Sequence, residues 1–217
     1  MTGKTPDGAR RALLLATNNA DKLREMRGIL SPLGFELVTP GELGDTAETD
    51  ETGETFEENA RLKARAFCEK FGMPSVADDS GLCVDALGGA PGVRSARFGG
   101  ALSNEARLRH LLKCMETEGN RAARFVTYVI CAFPDGGELV ASGEERGELL
   151  RERRGESGFS YDPVFYYPPL GKTNAEMTPD EKNSVSARGA ALRALAGMLP
   201  RGDAEPASRG AKEDKTC

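Results

Sequence analysis

One histidine, His110, in 217 residues is too little for a His-rich metal site, and it leaves a Ser-His-Asp reading of Ser80 weak. His110 falls in "RLRHLLKCME", beside the apolar stripe of Leu108, Leu111, Leu112 and Met115, which marks it as a partly exposed helix residue. Cysteine pairs at metal or disulfide spacing are missing as well. Cys68, Cys83, Cys114, Cys131 and Cys217 are odd in number, scattered and without a C-x-x-C, and read as small hydrophobes or free thiols of a reducing compartment. No stretch approaches the roughly 20 apolar residues that span a bilayer, and the apolar run "ALLLAT" is too short for a signal peptide. These absences give the expectation of a cytoplasmic chain with no membrane partner. Excess positive charge is lacking too: the net charge of −5 offers nucleic acid no broad attraction. A polyanionic ligand must then meet a local cluster of Lys and Arg, or a metal.

What is present reads as one α/β domain, with a mixed sheet, flanking helices and a substrate cleft. Residues 11–199 form the domain, 1–10 are expected to be a flexible N-terminus and 200–217 a disordered tail. "ALLLAT" and "FELVTP" predict strands around the helix opened by "NNADKLREMRGIL". Residues 41–54 are an acidic loop, after which Thr55-x-x-Glu58 is a capping box that starts a helix. "PSVAD" reads as a strand that ends at Asp78 and Asp79 before a Ser-Gly turn, and "LCVDALGGAPG" as a further strand. Ser103 caps the helix of His110. "RFVTYVICAF", "PDGG" and "ELVASGEERGELL" form a long hairpin. Thr178, Pro179 and Glu181 open another helix, and "SARGAALRALAGML" is the last.

Several segments carry more functional groups than folding needs. "TNNADK", residues 17 to 22, lies at a strand-to-helix junction, where backbone N–H groups and Lys22 suit a phosphate, although the glycines of a Walker motif are absent. Glu48, Asp50 and Glu51 precede Gly53, and Asp78 and Asp79 precede Ser80. Each group taken separately is more often merely solvated. If the two converge, their repulsion calls for a cation, and oxygen ligands favour Mg²⁺ or Mn²⁺. "GFSYDP" and "EKNSVSARG" add Phe159, Asp162, Lys182 and Arg188, and an aromatic face beside a guanidinium can hold a nucleobase.

The chain resembles the inosine triphosphate pyrophosphatase (dITP/XTP pyrophosphatase) family from Leu13 to about Leu199, through "ATNNADKLRE", "ETGETFEENARLKA", "ADDSGLCVDALGGAPGVRSAR", "GFSYDPVF" and "EMTPDEKNSVSARG" in this order. The resemblance implies an elongated α/β homodimer that uses Mg²⁺ to hydrolyse ITP, dITP and XTP to monophosphate and pyrophosphate. It implies that Thr17, Asn18, Asn19, Ala20, Asp21 and Lys22 grip the triphosphate, and that Asp50 and Asp79 hold the metal. Asp79 would also be the base acting on water, with Ser80 touching substrate. Phe159 would stack on the purine beside Ser160, Tyr161 and Asp162, Lys182 would meet phosphates, and Arg188 would read the base.

Two departures stand out. The family's Ser-His-Arg is Ser186-Ala187-Arg188 here, and its usual glycine is Ser160. The missing imidazole predicts retained hydrolysis with weaker purine discrimination or a higher KM, a loss that Ala187→His should reverse. Two alternatives stay open on sequence alone: hydrolysis of other modified nucleotides, or nucleotide binding with reduced activity.

Overall fold

A computed structural model describes residues 11–45, 50–100 and 102–202. Glu48, the expected flexible N-terminus and all but the start of the expected tail lie outside these residues. Among the described residues no helix is long and apolar enough to cross a membrane.

The strands are β1 (Ala12–Leu15), β2 (Glu36–Val38), β3 (Ser75–Val84), β4 (Ala122–Ala132), β5 (Glu138–Leu149), β6 (Phe165–Tyr167) and β7 (Lys172–Thr173). They form a mixed sheet in the order β2-β1-β3-β4-β5-β6-β7, in which β1 runs parallel to β2 and β3 and the later pairs are antiparallel. The helices are α1 (Ala20–Leu30), α2 (Phe56–Phe71), α3 (Asn104–Cys114), α4 (Pro179–Val185) and α5 (Ala187–Met198). Their starts follow local chemistry. Asn19 caps α1, Ser103 caps α3, and Thr55 with Glu58 and Thr178 with Glu181 close reciprocal boxes at α2 and α4.

The central strands are covered on both faces, so their apolar residues alternate between two cores. Leu13, Leu15, Val76, Val129 and Cys131 pack with Met26, Leu30, Leu192 and Leu195 of α1 and α5. Leu14, Ala16, Ala77, Ile130 and Ala132 pack with Ala60, Ala64 and Phe67 of α2. This double burial is why "ALLLAT" reads as an unbroken apolar run. A third core joins Leu82 and Val84 to Leu108, Leu111 and Met115 of α3 and to Tyr161 and Phe165.

Three sequence expectations change. No turn interrupts Ser80 and Gly81: β3 is one ten-residue strand paired without a break to β4, and Asp78 and Asp79 sit in its middle. The alternation of apolar residues stops there, which imitates a strand end. "LCVDALGGAPG" is therefore the second half of β3 followed by a short 3-10 turn at Asp85–Leu87. The chain also stays packed past residue 199, because Gly202 is buried, donates to Leu33 O (2.8 Å) and accepts from Arg11 N (3.1 Å).

Candidate active site

The site is built around the middle of β3, where side chains alternate between faces. Asp78 shares the face of Val76 and meets α1 and α5. Asp79 shares the face of Ala77 and meets α2.

On the first face, Lys22 Nζ lies 3.1 Å from Asp78 Oδ1, and Arg188 Nε donates to Asp78 Oδ2 at 3.1 Å. Burial opposes the charge on Asp78, but Lys22, Arg188 and Lys63 outweigh it and hold the carboxyl far below the usual carboxylate range. Arg188 also donates to Ser80 Oγ (3.2 Å) and pairs with Glu25 of α1. Lys182 bridges Glu25 (3.1 Å) and Asp162 (2.7 Å). Asp162 Oδ2 further accepts from the Phe159 backbone N–H at 2.8 Å, so this carboxylate fixes both the lysine and the aromatic loop. Lys182 Nζ and Arg188 Cζ lie 4.8 and 5.6 Å from the centre of the Phe159 ring.

On the second face, Lys63 Nζ stands 3.1 Å from Asp79 Oδ1 and 3.1 Å from Glu51 Oε1. Burial pushes the Asp79 carboxyl up, and Glu51 adds to this against the pull of Lys63 and Lys22. For Lys63 burial acts downward, and Asp79, Asp78 and Glu51 outweigh it, so its ammonium is held above the usual lysine range. Asn59, one turn before Lys63 on α2, contacts Asp79 Oδ2 at 3.5 Å and accepts from Gly53 N at 2.8 Å. A Cβ on Gly53 would come within 2.7 Å of Glu58 Cβ and 2.8 Å of Asn59 Oδ1, so only glycine lets the acidic loop close onto α2.

Between these networks opens a cleft of about 250 Å³. Of the residues expected in the site, Asn19, Asp21, Lys22, Asp79, Ser80, Phe159, Ser160, Tyr161, Asp162, Lys182 and Arg188 line it. Thr17, Asn18 and Ala20 do not. Thr17 instead braces the turn by accepting from Asn19 N (3.2 Å), and Asn19 Oδ1 already accepts from Asp21 N and Lys22 N, which takes up helix N–H groups expected to be free for phosphate. Tyr161 is 1% exposed, and its hydroxyl donates to Ser95 O at 2.9 Å, so it is held in the core behind the aromatic wall. Asp50 is exposed and outside the lining, whereas Glu51, its neighbour, turns in.

Of the two residues expected to hold a metal, Asp79 lines the cleft and Asp50 does not; the carboxylate beside Asp79 there is Glu51. The carboxylates of Glu51 and Asp79 converge on one ammonium, a hard oxygen-only donor set with the charge that Mg²⁺ suits. Among the described residues no larger cluster of His, Cys, Asp and Glu adds to them.

Sequence reading missed Glu25, Asn59 and Lys63. Asn59 and Lys63 do leave a trace: they lie four residues apart within the stripe of Phe56, Ala60, Ala64 and Phe67 that α2 buries. Polar groups beside such a stripe need partners. Glu25 leaves no trace, because its partners lie on α4 and α5, about 160 residues on.

A model of the Ham1 family matches residues 13–198. A protein of Exiguobacterium named dITP/XTP pyrophosphatase is 51% identical, over 84% of this chain and 94% of its own length. One from Aquifex aeolicus with the same name is 46% identical, over 86% and 96%. Among solved structures, a HAM1 protein from Coxiella burnetii superposes with a TM-score of 0.80 at 38% identity, covering 87% of this chain and 98% of that one. A nucleoside-triphosphatase / dITP/XTP pyrophosphatase from Mycobacterium abscessus gives 0.69 at 41%, covering 87% and 99%.

Proposed function

The chain belongs to the Ham1 family, and on that premise we propose that it is a nucleoside triphosphate pyrophosphatase, which hydrolyses ITP, dITP and XTP to the monophosphate and pyrophosphate. The observation that carries this reading is that Glu51 and Asp79, bridged by Lys63, stand in a cleft that Lys22, Phe159 and Arg188 also line.

In the reaction a water oxygen bonds to the α-phosphorus, the bond from that phosphorus to the bridging α–β oxygen breaks, and pyrophosphate leaves. Asp79 takes the proton from the attacking water. Lys63 holds Asp79 in place and, with Lys22, faces the charge that builds on the phosphates. Glu51 and Asp79 would hold Mg²⁺, which when bound supplies charge neutralisation for the triphosphate and the leaving group. Phe159 offers a face for the purine. Arg188 spends donors on Asp78, Glu25 and Ser80 but has five N–H groups in all, which leaves some for the 6-oxo group of the base. Adenine carries an amino donor at that position, and each unpaired donor left by the mismatch costs roughly 1–3 kcal/mol. A homodimer, which the family resemblance implies, and the cytoplasmic site of action expected from the sequence belong to the same proposal.

The test is pyrophosphate release from ITP, dITP, XTP, GTP and ATP, with Mg²⁺ and with EDTA, beside an Asp79→Asn control. Release that favours the first three, and is lost with EDTA and in the control, is expected. No release from any of the five overturns the reading.

A further inference from the structure

β5 turns its odd-numbered residues inward: Ala141 and Leu149 are buried, while Glu144, Arg146 and Glu148 face solvent. Glu145 falls in the inward set and is only 2% exposed. A carboxylate there, among alanine, leucine and glycines, is costly and needs partners. One oxygen has them: Asn174 Nδ2 donates to Glu145 Oε2 at 3.1 Å. The other oxygen, Oε1, has no hydrogen-bond partner, and neither has Oδ1 of Asn174, itself 2% exposed.

Two acceptors on a hydrogen-bonded pair of residues thus stand unpaired, and both residues line the cleft with Phe159 and Arg188. The backbone around them is set closely. A Cβ on Gly143, two residues before Glu145, would fall 2.2 Å from Ala187 O, so β5 carries glycine where the start of α5 presses against it. The Ala187 backbone N–H acts on Glu145 only weakly and closes no hydrogen bond with its free oxygen. The Ala187 side chain contributes only a methyl group, and the polar groups here come from Glu145 and Asn174. The charged groups that act on Glu145 are Lys182 of α4 and Asp162 of the aromatic loop, both at the Phe159 end of the cleft.

We propose that Glu145, steadied by Asn174, is a specificity-determining residue whose free oxygen accepts a hydrogen bond from the N1–H of an oxopurine base. The inference rests on the hydrolytic reading above and adds the base edge that is read. Hypoxanthine and neutral xanthine carry a hydrogen on N1. Adenine presents a bare acceptor there, which a carboxylate repels, so Glu145 and Arg188 would read neighbouring positions of one edge with opposite hydrogen-bond polarity. Donor groups of the base are what a pair of unpaired buried acceptors is suited to take.

The experiment compares ITP, N1-methyl-ITP and ATP as substrates of the wild-type chain, Glu145→Gln and Glu145→Leu, at saturating Mg²⁺ and about pH 8, where Glu145 is mostly ionised and an acceptor. Wild type should prefer ITP to N1-methyl-ITP by about tenfold or more in kcat/KM, the scale at which a lost hydrogen bond to a polar site is felt. Glu145→Leu should raise the ITP KM about tenfold and lower the ITP-to-ATP preference by a similar factor, with kcat changed by less than about threefold. Glu145→Gln keeps an acceptor and should keep most of the preference. Binding of IMP against N1-methyl-IMP, followed by calorimetry, reads the same edge without turnover. An inactive chain that still prefers IMP would therefore sink the hydrolytic reading alone. Equal use and equal binding of the methylated and unmethylated bases by wild type, or an unchanged ITP-to-ATP ratio in Glu145→Leu, overturns the proposal. The wild-type comparison stands even if Glu145→Leu does not fold.

Discussion

Asp78 and Asp79 are neighbours in the chain and face opposite sides of one strand, where Asp78 meets Lys22 and Arg188 and Asp79 meets Lys63. The alternation of β3 turns a repulsive dipeptide into two separate charge networks. Asp78 is the better compensated and more deeply buried of the two, at 2% exposure against 6%, which suits it to hold the lysine and arginine in place. Asp79 keeps access to the cleft.

Lys63 is the cation between Glu51 and Asp79. Lys63→Met should lower kcat on ITP about a hundredfold, the scale of losing one preorganised charge partner in a reacting site, with a smaller change in KM. Steady-state kinetics at saturating Mg²⁺ decides this, and a kcat within threefold of wild type would remove Lys63 from the reacting group.

Glu51 and Asp50 can be told apart by the metal. Glu51→Gln should raise the Mg²⁺ concentration for half-maximal activity by about tenfold or more, because it takes away one of the two charged ligands proposed for the metal. Asp50→Asn should leave that midpoint where it is, since Asp50 is exposed. If the two variants behaved in the opposite way, the acidic loop would close differently over substrate.

Ser160 is the one non-glycine residue with a positive φ, 58°, among the described residues. Holding an L-residue in the left-handed region costs about 1–2 kcal/mol, and glycine escapes this while losing up to about 1 kcal/mol of chain entropy. Ser160→Gly should be neutral to stabilising, by at most about 1 kcal/mol, and β-branched Ser160→Val destabilising by about 1–3 kcal/mol. Urea unfolding midpoints rank them, and a valine variant as stable as the serine would contradict the strain.

Burial pushes the Glu145 carboxyl up to about 7, against the hydrogen bond from Asn174 and the Lys182 charge, with Asp162 adding to the rise. The folded chain therefore binds this proton more tightly than the unfolded one, whose carboxyl titrates near 4.5. The resulting stabilisation is complete below that lower value and is lost as pH rises through about 7. Glu145→Gln has no such proton to lose, so it should gain on wild type by about 1–3 kcal/mol between pH 4.5 and 8. Urea unfolding at pH 4.5 and pH 8 measures the gain; a constant difference between the two proteins would mean that Glu145 titrates as an exposed group.

Much of this was legible in the sequence because it is local. The capping boxes at Thr55 and Thr178, the Ser103 cap and the β4–β5 hairpin depend on residues a few positions apart, and all stand where the pattern puts them. Lys22, Asp79, Phe159, Lys182 and Arg188 were recognisable through their motifs, and they do meet in one cleft. The continuity of β3 was not legible, since a buried strand that carries acids in its middle looks like a strand that ends. Neither was the choice between Asp50 and Glu51, because two acids in a loop are equivalent until the backbone turns one of them inward.

The sequence by itself determined the elements, their caps and the kinds of chemical group available, since these follow from near neighbours and side-chain identity. The tertiary structure alone decided which groups face one another. Lys63 reaches Asp79 from a different element, and Arg188 reaches Asp78 from 110 residues away. It also left Glu145 buried with an unpaired oxygen. Charge pairing and desolvation depend on distances through space, and those exist only once the sheet and its helices have packed.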